Sequence, residues 1–152
     1  MDWPQEMNKA MALYGVKRRF SNKDGENFVA IPKMWDELTK DKTVRKITEK
    51  GDGFLYGACY DFSKDCSEFS YMIASKGEEE GMEALVIPEA TYAKFSAEGV
   101  QGLQDMTKEI YSEWLPSSGY KHDDRPELEV YPPHCQEEEE WPVELWVPIV
   151  KA

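Results

Sequence analysis

From Leu13 to Phe20 the chain favours an extended backbone, and the turn formers Ser21-Asn22-Lys23-Asp24-Gly25 stop it, so a first strand is expected there. Ile31, Met34, Trp35 and Leu38 then recur at i, i+3, i+4 and i+7, the spacing of one apolar helix stripe. Pro32 fits such a helix only near a first turn or a kink. Gly51-Asp52-Gly53 closes the connection, after which the period drops to two. Phe54, Tyr56, Ala58, Tyr60 and Phe62 share one face of a strand, and Leu55, Gly57, Cys59 and Asp61 share the other. Glu68 to Ala74 alternates again beyond Ser63-Lys64-Asp65, which predicts an antiparallel hairpin presenting Phe69, Tyr71 and Ile73 together.

The pattern then begins a second time. Leu85-Val86-Ile87-Pro88 and Thr91 to Ser96 read as extended chain broken at Pro88. Val100, Leu103, Met106, Ile110 and Trp114 fall on one helical stripe ended by Pro116-Ser117-Ser118-Gly119. Leu128 to Tyr131 and Val143 to Val150 are expected as the closing strands, with Glu137 to Glu140 in a loop between them and Glu78 to Glu80 at an acidic tip. Each half is too small to bury its own apolar face, so the two must pack together. The expectation is an α+β fold of duplicated β-α-β-β units related by a pseudo-twofold axis, with an antiparallel sheet and two helices.

Length and composition agree with a single domain over residues 1–152. Forty-one per cent apolar residues, with five Trp, eight Tyr and six Phe, exclude a disordered tail. Neither an 18-residue apolar run nor a leader pattern occurs, and Cys59, Cys66 and Cys135 lie at no zinc or redox spacing. A cytoplasmic protein with free thiols is expected. The net charge is −12, divided as +3 over residues 1–50 and −15 over the remainder, which disfavours direct nucleic-acid or membrane contact and favours cations. Lys17-Arg18-Arg19 and Arg45-Lys46 fit solvated element faces better than a phosphate site.

Strand parity sets out the candidate chemistry. Val143, Leu145, Val147 and Ile149 form one aliphatic face, leaving Glu144 and Trp146 together on the other. In the preceding strand Leu128 and Val130 oppose Glu127, Glu129 and Tyr131. Neighbouring strands are thus expected to place two carboxylates and two aromatic rings on one surface, which attracts organic cations through ring quadrupole and Coulomb energy alike. Alternation equally allows both glutamates to sit in solvent on an exposed sheet face. No hydrolase triad or phosphate loop occurs, and His122, His134 and Cys135 form no ligand motif, so no cofactor or metal is expected. A glutamate-dependent hydrolysis remains open on the residues alone.

Five strings, Tyr14 to Asn22, Ile31-Pro32-Lys33-Met34-Trp35, Trp114-Leu115-Pro116-Ser117-Ser118-Gly119-Tyr120, Pro126 to Tyr131 and Val143 to Ile149, occur in the order found in the GyrI-like, or AraC-type effector-binding, domain, and the chain resembles that family along nearly its whole length. The resemblance implies a cleft between the two halves where hydrophobic and often cationic drugs bind. Carried onto this sequence, it implies Glu144 as the carboxylate of the closing strand, Glu129 and Tyr131 from the strand before it, Trp114 from the second helix and Tyr71 from the third strand. Trp35, Tyr56 and Tyr60 follow from face and position, with plain core packing equally open for Trp35 and Trp114. Relatives often carry a helix-turn-helix unit before this domain; with Met1 about a dozen residues from the first strand, a stand-alone module is expected. The implied function is binding of amphipathic, cationic drug-like molecules. The alternatives are a hydrolase of cyclopropanoid or related electrophilic toxins and a protein-interaction module resembling gyrase inhibitors.

Overall fold

Strands form where apolar residues alternate, and helices where they recur every three to four positions, in a computed structural model that describes residues 5–78, 80–132 and 142–152. The strands are β1 (Gln5–Asn8), β2 (Met11–Ser21), β3 (Leu55–Tyr60), β4 (Glu68–Ser75), β5 (Glu83–Ile87), β6 (Ala90–Glu98), β7 (Tyr120–His122), β8 (Glu127–Tyr131) and β9 (Pro142–Lys151). Between them lie α1 (Asn27–Lys40), α2 (Thr43–Glu49) and α3 (Gly99–Glu109), the last continued by a π-helical turn at Ile110–Trp114 and a closing turn, α4 (Leu115–Ser117). The α+β class and the antiparallel sheet agree with the sequence pattern; β1, β7 and α2 were not legible in it. His134, Cys135 and the Glu137 to Glu140 run lie outside the described residues.

All strand pairings are antiparallel, in the order β1-β6-β9-β8-β3-β4-β2-β5, with β7 added to β9. The halves β5-β2-β4-β3 and β1-β6-β9-β8 meet at the β3–β8 pair, and each exchanges one strand with the other: β1 pairs β6 while β5 pairs β2. That exchange forces curvature. β1 and β2 stand six places apart, roughly 29 Å in a flat sheet. The chain links them through Lys9 and Ala10, which span roughly 10 Å from Asn8 to Met11. Pro88 and Glu89 tie β5 to β6 across the same ends, so the sheet coils until its ends approach.

Coiling gives two separate cores. Inside the curl, Leu13, Ile87, Ala90 and Tyr92 of the end strands pack on Tyr56, Ala58, Leu128 and Val130 of the central ones. On the other side, Met34 and Leu38 of α1, Val44 and Ile47 of α2, and Leu103 and Ile110 of the second helical segment cover Leu55, Tyr71, Ile73, Leu145 and Val147. Val44 and Ile47, spaced i, i+3, are the buried stripe of α2. Pro32 is the sixth residue of α1 and has no N–H to return to the Phe28 carbonyl.

Register corrects one expectation. In the β8–β9 pair, Leu128 lies opposite Trp146, Glu129 opposite Leu145 and Val130 opposite Glu144. Directly paired residues point to the same face, so Glu144 and Trp146 join the inner face with Leu128 and Val130, while Glu129 shares the helix side with Leu145. The two glutamates do not form one surface. Parity within each strand was right. The assumption that both polar sides face together failed, because β8 turns its carboxylates toward the helices and β9 turns its aliphatic side there.

Candidate functional site

Between α1, the second helical segment and the central strands lies a cavity of about 1260 Å³. Helix α1 supplies Phe28, Ile31 and Trp35; Leu103, Thr107, Tyr111 and Leu115 line the facing wall. Those last four are spaced by four residues, which would drift around an ideal helix of 3.6 residues per turn. The wider π turn at Ile110–Trp114 offsets the drift and keeps Tyr111 and Leu115 on the pocket side. Glu127, Glu129 and Tyr131 of β8, with Cys59 of β3, form the sheet-side wall.

Glu129 is the centre of a hydrogen-bonded chain. Its Oε1 accepts the hydroxyl of Tyr71 at 2.6 Å and that of Tyr131 at 2.8 Å. Trp35 Nε1 in turn donates to the Tyr71 hydroxyl at 2.9 Å, and the Trp35 ring meets Tyr131 edge-on at 5.1 Å. Three elements, α1, β4 and β8, thus fix one carboxylate. Gly57 makes room for it: a Cβ there would lie 2.2 Å from the Tyr71 hydroxyl and 2.5 Å from Glu129 Oε1. Only a glycine in β3 lets that hydrogen bond pass over the backbone.

The electrostatics follow from burial. Desolvation raises the Glu129 carboxyl, and the two tyrosine donors pull it back. Among the described residues no lysine or arginine pairs with it. Glu127, 8% exposed, is pushed up to about 7 by burial, against a hydrogen bond from Tyr111 and with a contribution from the Glu129 charge. Burial also holds Tyr71, Tyr131, Tyr111 and the Cys59 thiol well above their usual ranges, so these groups remain protonated donors. His122, stacked on Tyr111 at 6.1 Å, is lowered by desolvation. The pocket can therefore hold negative charge among phenols and apolar walls.

The structure brings Trp35, Tyr71, Glu129 and Tyr131 together, and Tyr60 reaches the pocket rim from the end of β3. It does not bring the other candidates there. Trp114 packs against Phe95 at 5.0 Å in the helix-side core. Tyr56 is 2% exposed within the curl. Trp146 donates from Nε1 to Glu144 at 3.1 Å and lies under Lys94, whose Nζ is 3.7 Å from the ring centroid. Sequence reading placed Glu127 on the correct face without assigning it a role, and it passed over Gly57. A lone glycine inside an alternating strand was the available signal for a close approach.

A coiled antiparallel sheet of two exchanged strand-helix-strand-strand units, with a pocket under its helices, defines the class of GyrI-like effector-binding domains, which bind small molecules. The chain belongs to the family of integron-associated effector binding proteins, Cass2, which matches it over residues 6–149. A protein of Erwinia billingiae (strain Eb661) described as a DNA gyrase inhibitor is 37% identical over 76 residues. That stretch covers 48% of this chain and about half the relative's length. The solved structure of SAV2435 bound to tetraphenylphosphonium matches with a TM-score of 0.84 at 19% identity, covering 99% of this chain and 94% of that one. An integron cassette protein from the mobile metagenome of Vibrio cholerae matches at 0.74 and 16% identity, over 97% and 95% of the two chains. At these identities the structural likeness is one of fold. No helix among the described residues is long and apolar enough to cross a membrane.

Proposed function

We propose that the pocket binds amphipathic organic cations, with Glu129 as counter-charge and Trp35, Tyr71 and Tyr131 holding it in place. One observation carries the reading: a carboxylate fixed by two phenols stands in a largely apolar cavity, and no basic side chain among the described residues neutralises it. A desolvated anion without a counter-ion is costly to the apo protein, and a lipophilic cation removes that cost while its body covers the apolar walls. Tetraphenylphosphonium, the molecule bound to the similar SAV2435, belongs to this chemical class.

At about 5 Å and an effective dielectric near 20, one unit charge beside Glu129 gains roughly 3 kcal/mol, about a hundredfold in Kd. Titration of tryptophan fluorescence with tetraphenylphosphonium should saturate in the micromolar range in the wild type, and Glu129→Gln should weaken it by about that factor. No saturable binding, or equal affinity in Glu129→Gln, contradicts the proposal.

A second reading, a protein-interaction role, is supported by the relative described as a DNA gyrase inhibitor. A gyrase supercoiling assay decides it: concentration-dependent inhibition supports this role, and unchanged supercoiling at micromolar protein removes its gyrase version.

A further inference from the structure

Among the described residues, three buried side-chain atoms have no hydrogen-bond partner: Asn27 Oδ1, Arg125 Nε and Glu127 Oε1. All three residues line the large pocket. Elsewhere buried polar atoms are met, as where Ser75 Oγ donates to the Ile47 carbonyl at 2.8 Å. Unmet polar atoms gathered around one cavity mark groups that a bound molecule completes. Glu127 is the strongest of the three. It is 92% buried, Tyr111 engages its carboxylate, and Oε1 is left without a donor. Glu129 differs, since its Oε1 already receives two hydroxyls.

We propose that Glu127 is a second polar subsite that accepts an N–H of the bound cation, so that the pocket selects protonated amines and amidines bearing at least one N–H over fully substituted onium ions of equal size. This rests on the cation-site reading of the pocket and adds the ligand's chemical class to it. A quaternary ammonium or tetraaryl phosphonium carries its charge inside a shell of carbon. It meets Glu129 through Coulomb attraction alone and leaves Glu127 Oε1 dry. An ammonium N–H supplies the missing donor, and hydrogen bonds between ionised partners are roughly twice as strong as neutral ones. Sites built around a hydrogen bond discriminate strongly against analogues that lack it.

Several ionisable groups surround Glu127. Cys59 lies directly opposite on β3, Glu129 lies two residues on, and Tyr111 approaches from the π turn with His122 of β7 stacked on it. Arg125, two residues earlier, is held by Asp123, and Asp36, Asp61 and Asp124 complete the charged lining. The thiol and the phenols stay protonated and His122 is held low. Glu127, titrating at about 7, is therefore the carboxyl whose proton an ammonium displaces, and affinity for N–H ligands rises with pH.

The test is calorimetric titration of the whole chain with diphenylpropyl-dimethylammonium and its trimethylammonium homologue, which share body and charge and differ by one N–H. At about pH 8 the dimethyl compound should bind at least about tenfold tighter, and its advantage should shrink at about pH 6. Glu127→Leu should bring the ratio close to one, the lost Coulomb attraction weakening both ligands by a common factor. Glu127→Gln, which keeps shape and an acceptor oxygen, should abolish the pH slope and retain part of the preference. Glu129→Gln should weaken both ligands alike. Equal binding by the wild type, or a preference that survives in both Glu127 variants, overturns the proposal. If neither compound binds the wild type, the cation-site reading fails, and this inference falls with it.

Discussion

Gly57→Ala is the smallest change that should disturb the site. It adds one methyl group to β3, and the structure places that carbon 2.2 Å from the Tyr71 hydroxyl, 2.8 Å from Tyr71 Cζ and 2.5 Å from Glu129 Oε1. None of these separations is tolerable, so a neighbour must move. Tyr71 has little freedom: its side chain is fully buried, with Trp35 and Glu129 bonded to its hydroxyl and Phe20 packed edge-on at 6.2 Å. Overpacking a closed core costs about 1 to 3 kcal/mol, and loss of a hydrogen bond to a carboxylate adds about 1.5 to 3. Partial relaxation makes these overlap, so a destabilisation of about 2 to 4 kcal/mol is expected, or a fall of roughly 6 to 12 °C in Tm. Cation affinity should drop about tenfold as Glu129 loses its anchor. In a Tyr71→Phe background, where the nearest oxygen is gone, the added cost of Gly57→Ala should shrink by at least about 1 kcal/mol. Thermal denaturation of the four proteins of this cycle measures it. An unchanged Tm for Gly57→Ala, or full additivity in the cycle, would refute the argument that the glycine exists to let the Tyr71–Glu129 hydrogen bond pass.

Glu127 should make stability fall with pH. The unfolded chain releases this proton near 4.5, while the folded protein keeps it to about 7. The native state thus binds more protons between those values, and roughly 3 kcal/mol present below about pH 4.5 is lost by about pH 7. Glu127→Gln should therefore raise Tm relative to wild type at about pH 8 and not at about pH 4.5; a gain that is the same at both contradicts the buried, late-titrating carboxyl. Glu144→Ala should leave cation affinity within about twofold of wild type, since Glu144 lies on the opposite face of the sheet from the pocket. Loss of binding in that variant, measured by fluorescence titration, would relocate the site. Trp35→Phe keeps an aromatic ring, smaller than the indole, and removes the donor to the Tyr71 hydroxyl, and should cost at least about 0.5 to 1.5 kcal/mol in chemical denaturation; a neutral result would show that the tryptophan end of the chain carries no energy.

The hydrophobic periods made most of the elements legible, because β3 and β4 carry a period of two and the two long helices each lay one apolar stripe on the sheet. Short elements held by tertiary pairing were hidden: β1 and β7 pair with distant strands, and α2 offers only Val44 and Ile47 as a stripe. Parity along each strand was also readable, so Glu129 and Tyr131, like Glu144 and Trp146, were correctly grouped. The orientation of one strand's faces relative to the next was not. An apolar face is normally taken as the inner one, but this sheet buries both sides, one in the curl and one under the helices. With two interiors, hydrophobicity cannot say which of them holds the pocket; register can. Gly57 and the π turn escaped for a related reason, since each answers to a contact made across the fold rather than to its own neighbours in sequence.

A crystal structure with tetraphenylphosphonium bound is the most direct measurement of the central claim. The account predicts the phosphonium centre on the helix side of the sheet, roughly 4 to 6 Å from the Glu129 carboxylate, with aryl groups against Trp35 and Tyr131. Density on the inner face of the curl beside Glu144 and Trp146, with the helix-side cavity unoccupied, would contradict it.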